Sequence, residues 1–453
     1  MTNDFCWEIP STIDLEKLLM NHPPDFPSKI DHFYYIIDYI WNAMVYNDLD
    51  ENAGFVNLHA ATLQKVNHNY NKYLKYLLKH RLLLTDMKYI VGKKSFGFLL
   101  NTKDSADLQI VRIPIKDWKI RQRMETEIEE KNESFKKTQQ DYPFLSRWFN
   151  DYLEIDVEGA RKEALKQYPV ITSGIRGAVK GKPSRQEKRM KAEYSIDKIA
   201  KKKYFYSVDE NVGRFHSNLT NLKKEFRNYI TYNGQQLVNV DIKNSQPLFT
   251  TLLFNKNFYN NQGQLSIFNI PNISTLITNK YHSPSSITIM IVKALERPDN
   301  SDIHKYISFV NSGNFYEEIS NSLYPGEPYD KKKVKPSIFV VYFSSNRYFG
   351  QPDAEPKRRF KKMFTRTYEV FRLLKLCDHT ALSRLLQKIE SIIMIQNVVP
   401  HIGQERPDLP IYTIHDSIVT TVGNEDYVAR VINEEIKRIT GLDAKFGYEY
   451  WGV

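Results

Sequence analysis

The spacing of apolar positions changes several times along the chain, and each change marks an element. Between residues 31 and 48 aromatic and aliphatic residues recur with helical spacing. Residues 56–100 predict a short helix, a turn, and a longer helix with apolar positions at Tyr70, Leu74, Leu77 and Leu78. Two short strands follow, flanking "VGKKS", where Gly92 suits a tight turn. Residues 115–165 are charged and helical in character. Later the pattern turns to strands. Residues 237–240 form a strand that ends on Asp241, and a helix starts near Pro247, a residue suited to a first turn. Residues 409–414 and 418–422 are rich in β-branched residues and flank His415-Asp416-Ser417, which predicts a hairpin with Asp416 at its tip. An ordinary turn would also use Asp there. No repeat period is visible.

Composition narrows the class. A chain of 453 residues has room for two to four domains, and 41% hydrophobic with 13% aromatic residues supports real cores. A net charge of +11 and a pI of about 9.1 call for an anionic partner, nucleic acid before anionic membrane. There is no apolar run near the length of a membrane span, no secretory pattern at the N-terminus and no basic amphipathic helix with a clean apolar face, so no membrane partner is expected. Cys6 and Cys377 cannot build a structural zinc site and suit a reducing, cytoplasmic compartment. Between Arg176 and Lys203 eleven Lys and Arg face three acids, and glycines make the start of this run a loop. Such a run is often a solvated segment, but this imbalance favours phosphate tracking. Basic clusters recur at 330–337 and 356–362.

The chemistry begins with Asp416. One carboxylate is a poor catalyst, but Mg²⁺ commonly takes one or two carboxylates plus substrate phosphates. Asp241, at the end of another strand, supplies the second. Two acids on neighbouring strand ends can hold two Mg²⁺ ions, with Mn²⁺ as a substitute, for phosphoryl transfer. A triphosphate-binding element is then needed, and "KKKVKPSIFVVYF" at 331–343 fits. Lys331, Lys335, Phe339 and Phe343 recur every fourth residue and would share one helix face. Pro336 and the β-branched residues leave open a strand after a basic loop.

These segments resemble single-subunit right-hand polymerases of the family A type, which include bacterial-type DNA polymerases and bacteriophage and mitochondrial RNA polymerases. "GRFHSNLTNLKKEFR" at 213–227 is similar to the stretch before the first catalytic Asp and would place Arg214 on the primer–template. Asp241 matches the first metal-binding Asp. The 331–343 pattern matches the finger helix, with Lys331 and Lys335 on the triphosphate and Phe339 and Phe343 against the nucleotide. His415-Asp416 matches the second catalytic hairpin. "LSRLLQKIESIIM" at 382–394 resembles a palm helix in which Gln387 contacts the primer end. The resemblance covers roughly residues 205–453.

Departures bear on the sugar. Ser417 stands where the DNA enzymes usually carry Glu and the RNA enzymes Ser. Phe343-Ser344 replaces Tyr-Gly. Gln246 stands where the DNA enzymes carry a Glu that crowds the 2′-hydroxyl and the RNA enzymes carry Gly. A different register makes Leu248 the gate. Either choice is bulky and favours deoxynucleotides. "EIDVEG" at 154–159 has exonuclease-like spacing, but Asp156 and Glu158 read as surface residues. His415 shapes its turn beside the primer end, and His379 and His401 read as structural.

The resemblance implies an α+β chain with palm, fingers and a reduced thumb, plus an N-terminal winged-helix-like α+β domain. The expected layout is an arm at 1–30, the winged-helix-like domain at 31–105, a helical and basic connector or thumb at 106–204, and a palm at 205–453 with fingers at about 255–375. In a winged helix, the helix around 67–79 would enter the major groove and Lys93 and Lys94 would touch phosphate. A plain packing domain with a basic face is the competing reading of that segment. The implied function is template-directed nucleotidyl transfer by a DNA-dependent DNA polymerase of a phage, plasmid or mobile element. Its partners would be a DNA primer–template, nucleoside triphosphates and a replication initiator or primer protein. The alternatives are a bacteriophage-type RNA polymerase or primase, and a non-catalytic DNA-binding replication protein.

Overall fold

The computed structural model describes residues 5–46, 55–58, 60–89, 95–101, 110–169, 185–260 and 262–452. The chain folds into two units, each with its own core. Lys93 and Lys94 lie outside the described residues.

The first unit takes residues 1–137, 155–204 and 221–229. Strand Cys6–Pro10 pairs antiparallel with Ile110–Pro114. Helix Ile30–Tyr46 buries Phe33, Ile37, Ile40 and Trp41, the i, i+4, i+7, i+8 positions of one face. Its buried Asp31 accepts from the Trp7 indole Nε1 at 2.8 Å and from the backbone N–H of Lys116 at 3.0 Å, so this acid is satisfied inside the core. After it come strand Val56–Asn57, helices Ala60–Val66 and Tyr70–Lys79, and strands Leu83–Thr85 and Gly97–Leu100. The three strands form one sheet with Gly97–Leu100 in the middle. Two helices followed by two paired strands are present, but the strands are Leu83–Thr85 and Gly97–Leu100, so the first does not adjoin "VGKKS", and Gly92 lies outside the described residues. Helix Tyr70–Lys79 turns Tyr73, Leu74, Tyr76 and Leu77 inward and leaves Asn71, Lys72, Lys75 and Lys79 exposed. Helices Val157–Gln167 and Arg185–Ala200 pack on each other. Asp156 and Glu158 are exposed, and Asp156 caps the first of these helices by accepting from Gly159 N at 3.0 Å.

The second unit takes residues 138–154, 205–220 and 230–453. Its central strand is Gln235–Ile242, paired antiparallel with Ser417–Thr421 on one side and Phe446–Trp451 on the other. Strand Ile411–Ile414 continues the sheet beyond Ser417–Thr421. Helix Glu425–Thr440 packs on this sheet through Val428, Val431, Ile432 and Ile436, and stops at Gly441, whose φ of +76° is a left-handed cap. Helix Ala381–Ser391 runs through a π-helical turn, Ile392–Val398, into helix Val399–Glu405.

A helical group covers Pro284–Leu295, Ser301–Asn311, Phe315–Leu323, Lys331–Phe343, Glu355–Met363 and Thr365–Leu374. Its core is aromatic: Tyr306, Phe315, Tyr342, Phe360, Phe364 and Phe371 are all fully buried. Residues 331–343 are thus a helix, not a strand. Asp330 caps its start by accepting from Lys332 N at 2.8 Å. Pro336 sits on the exposed side, where the carbonyl it cannot satisfy meets water. Two buried lysines hold the other end. Lys375 Nζ donates to the carbonyls of Val341 (2.9 Å) and Ser344 (3.1 Å), and Lys357 Nζ to the Ser345 carbonyl (2.6 Å). Cations at a helix C-terminus complement its dipole. The "PKRRFKK" cluster therefore does not all face solvent: Lys357 is buried, and Arg358 and Arg359 pair with Glu355. Among the described residues no helix is long and apolar enough to cross a membrane.

Candidate active site

The site is built where the central strand ends. Asp241 lies opposite Ser417 in the antiparallel ladder. The chain then turns through Asn244, at φ +56°, into helix Ser245–Thr250. Asn tolerates this left-handed conformation better than most residues. The neighbouring hairpin has a two-residue turn, because Ile414 pairs directly with Ser417. His415 takes φ +57° there, a costly conformation for a non-glycine residue. The turn leaves Asp416 at the strand end beside Asp241, and the Ser245 hydroxyl donates to Asp416 Oδ2.

Arg214, Asp241, Gln246, Lys331, Lys335, Phe339, Phe343, Gln387, His415 and Asp416 all line one cleft of about 660 Å³. These are the site residues read from the sequence, apart from Lys93 and Lys94. Leu248 is not in that lining and is 3% exposed, so of the two gate registers the cleft contains Gln246. Helix Lys331–Phe343 forms the wall facing the acids. Its Lys335 Nζ lies 5.6 Å from the Phe339 ring, and Phe339 and Phe343 are 5.3 Å apart. This aromatic face continues into an apolar groove with Pro336, Val340 and Tyr348.

Burial and the nearby Asp416 carboxylate raise Asp241 to about 6, with Lys335 and Lys331 pulling the other way. Two close carboxylates that resist joint ionisation form a natural cation site. Among the described residues no cluster of three or more His, Cys, Asp or Glu forms a metal site. A divalent cation would rest on Asp241 and Asp416 and take its remaining ligands from substrate phosphate and water, which suits Mg²⁺. The residues present fit that ion.

Sequence reasoning missed Glu390. It is 2% exposed on helix Ala381–Ser391 and lines the same cleft. Oε1 accepts from Arg214 Nε at 2.9 Å and Nη2 at 2.7 Å, and Oε2 accepts from Gln246 Nε2 at 2.9 Å. Burial lifts its carboxyl to about 7; Arg214 opposes the rise and Asp416 adds to it. Its helical spacing carried a signal, since it falls on the apolar face with Leu382, Leu386 and Ile389. His401 bonds Glu435 at 2.9 Å, away from the cleft lining, while His379 is largely exposed.

No family model matches the chain. No curated protein matches it either. Among solved structures it is similar to the POL domain of Pol1 from M. smegmatis in complex with DNA primer-template and dNTP, with a TM-score of 0.42 and 12% identity over 68% of each chain.

Proposed function

We propose that the protein is a template-directed nucleotidyltransferase. The observation that carries this reading is the cleft itself: Asp241 and Asp416 stand on adjacent strand ends, facing a helix that offers Lys331, Lys335, Phe339 and Phe343. In this reading the sheet is a polymerase palm and the helices between 284 and 374 are its fingers.

Asp241 and Asp416 hold the divalent ions, which when bound activate the attacking oxygen and neutralise charge on the phosphates. Lys331 and Lys335 bind the triphosphate and offset the charge that develops on departing pyrophosphate. Phe339 and Phe343 pack against base and sugar. Ser245 fixes the rotamer of Asp416 through its hydroxyl. Arg214, Gln387 and His415 border the primer end. The bulk of Gln246 favours deoxynucleotides, so the preferred activity is DNA synthesis, in a phage, plasmid or mobile-element setting.

One observation favours an RNA polymerase or primase instead. Ser417 is buried and its Oγ donates to the Ile414 carbonyl at 2.9 Å, so the hairpin offers no further carboxylate beside Asp416. In the first unit, the exposed Asn71, Lys72, Lys75 and Lys79 face of helix Tyr70–Lys79 suits DNA backbone and groove contact in a winged-helix arrangement.

The test is calorimetry with a nucleoside triphosphate, with and without Mg²⁺ or Mn²⁺. Metal-dependent binding that is lost in Asp416→Ala supports the reading. Binding that ignores both metal and mutation leaves a non-catalytic DNA-binding scaffold as the better account.

A further inference from the structure

Glu390 is a costly residue to bury. A carboxylate taken out of water is tolerated only when hydrogen bonds and charge compensate it. If packing alone were needed beneath the cleft, an apolar side chain of similar size would serve. In all three hydrogen bonds described above Glu390 accepts, from Arg214 and Gln246, two residues that line the cleft. Both carboxylate oxygens are thereby engaged, which suits a clamp better than a metal ligand.

The clamp decides what Gln246 presents. Its Nε2 is committed to Glu390, and its Oε1 is buried without a hydrogen-bond partner. The amide oxygen is thus out of solvent, and the amide nitrogen is tied to Glu390 by one N–H. The methylene stem is the part left to border the cleft. A hydroxyl pressed against such a stem loses its water and gains no partner.

We propose that Glu390 is a positioning residue for sugar selection: it immobilises Gln246 so that an apolar stem borders the incoming nucleotide's sugar and disfavours a 2′-hydroxyl. This rests on the nucleotidyl-transfer reading. A freed Gln246 swings aside or turns its amide to the hydroxyl, and discrimination falls.

The experiment is single-nucleotide primer extension, comparing kcat/KM for a matched deoxynucleotide and its ribonucleotide. Wild type, Gln246→Ala, Glu390→Ala, Glu390→Gln and the double alanine variant are compared, with circular dichroism as a check of folding. Wild type should prefer the deoxynucleotide. Gln246→Ala and Glu390→Ala should each reduce that preference, by about tenfold to a hundredfold, the range a missing or added group commands in an apolar pocket. The double variant should lose no more than either single one, because both break one device. Glu390→Gln keeps the shape and can still bridge both neighbours, so it should retain most of the preference. If Glu390→Ala does not fold, Glu390→Met fills the space and should show the same loss. An unchanged ratio in the Glu390 variants, with both substrates slowed equally, overturns the clamp alone. So does a wild type that prefers the ribonucleotide. A wild type that extends with neither nucleotide overturns the polymerase reading and the clamp with it.

Discussion

Asp241 pairs across the sheet with Ser417, so Asp416, the residue before Ser417, stands at the same sheet end. Two acids 175 positions apart in sequence are brought together by one ladder register. A slip of one residue would turn every side chain of the strand to the other face and separate them.

That proximity has a cost in stability. Asp241 is raised to about 6 in the fold, by burial and then by Asp416, from an ordinary 3.8. Between those pH values the folded chain holds a proton that the unfolded chain releases. Stability therefore falls as pH rises through that window, and the loss persists above it. In metal-free protein, Asp241→Asn should be more stable than wild type at pH 7.5 by on the order of 1–2 kcal/mol, and no more stable near pH 4. Denaturant melts at the two pH values check this; the same variant should lose metal-dependent activity.

Lys335 is expected to act on the triphosphate. Lys335→Ala should raise the nucleotide KM by about 10- to 100-fold, the worth of a hydrogen bond to a charged group. High salt should narrow the gap. Equal loss with a nucleoside lacking phosphates would show that the lysine supports the fold instead.

Helix Tyr70–Lys79 predicts a separate effect. Lys72→Glu and Lys75→Glu should each weaken binding to duplex DNA and lower the slope of log affinity against log salt by about one. Triphosphate binding should not change. Filter binding or anisotropy at several salt concentrations reads both.

The turn residue gives a test of strain. At position 415, where φ is +57°, Gly should be more stable than Val by more than about 1 kcal/mol, since both lose the imidazole and only Val keeps the backbone strain. Thermal melts of the two variants decide it.

Much of the site could be read from local pattern. The β-branched runs around His415-Asp416 and the strand ending at Asp241 are short-range signals, and the structure has a strand at each. The 331–343 segment was ambiguous because β-branched residues and a proline compete with a four-residue period. Tertiary contacts decide it: Tyr342 is buried against Phe371, and its hydroxyl bonds Tyr306. Glu390 could not be read as a clamp, because its partner Arg214 is 176 positions away. Lys357 and Lys375 were hidden for a similar reason. Each looks like a surface charge, and only the end of helix Lys331–Phe343 shows why they are buried. The π-helical turn at Ile392–Val398 has no signature in apolar spacing that separates it from the helices on either side.

As the proposed catalytic pair of a polymerase, Asp241 and Asp416 should both be indispensable to primer extension. Extension of a primed DNA template with Mg²⁺ tests this most directly, with deoxynucleotides and ribonucleotides in separate reactions and Asp416→Ala beside the wild type. The wild type should extend the primer, with deoxynucleotides favoured, and the variant should not. No extension with either nucleotide, or a variant as active as the wild type, would contradict it.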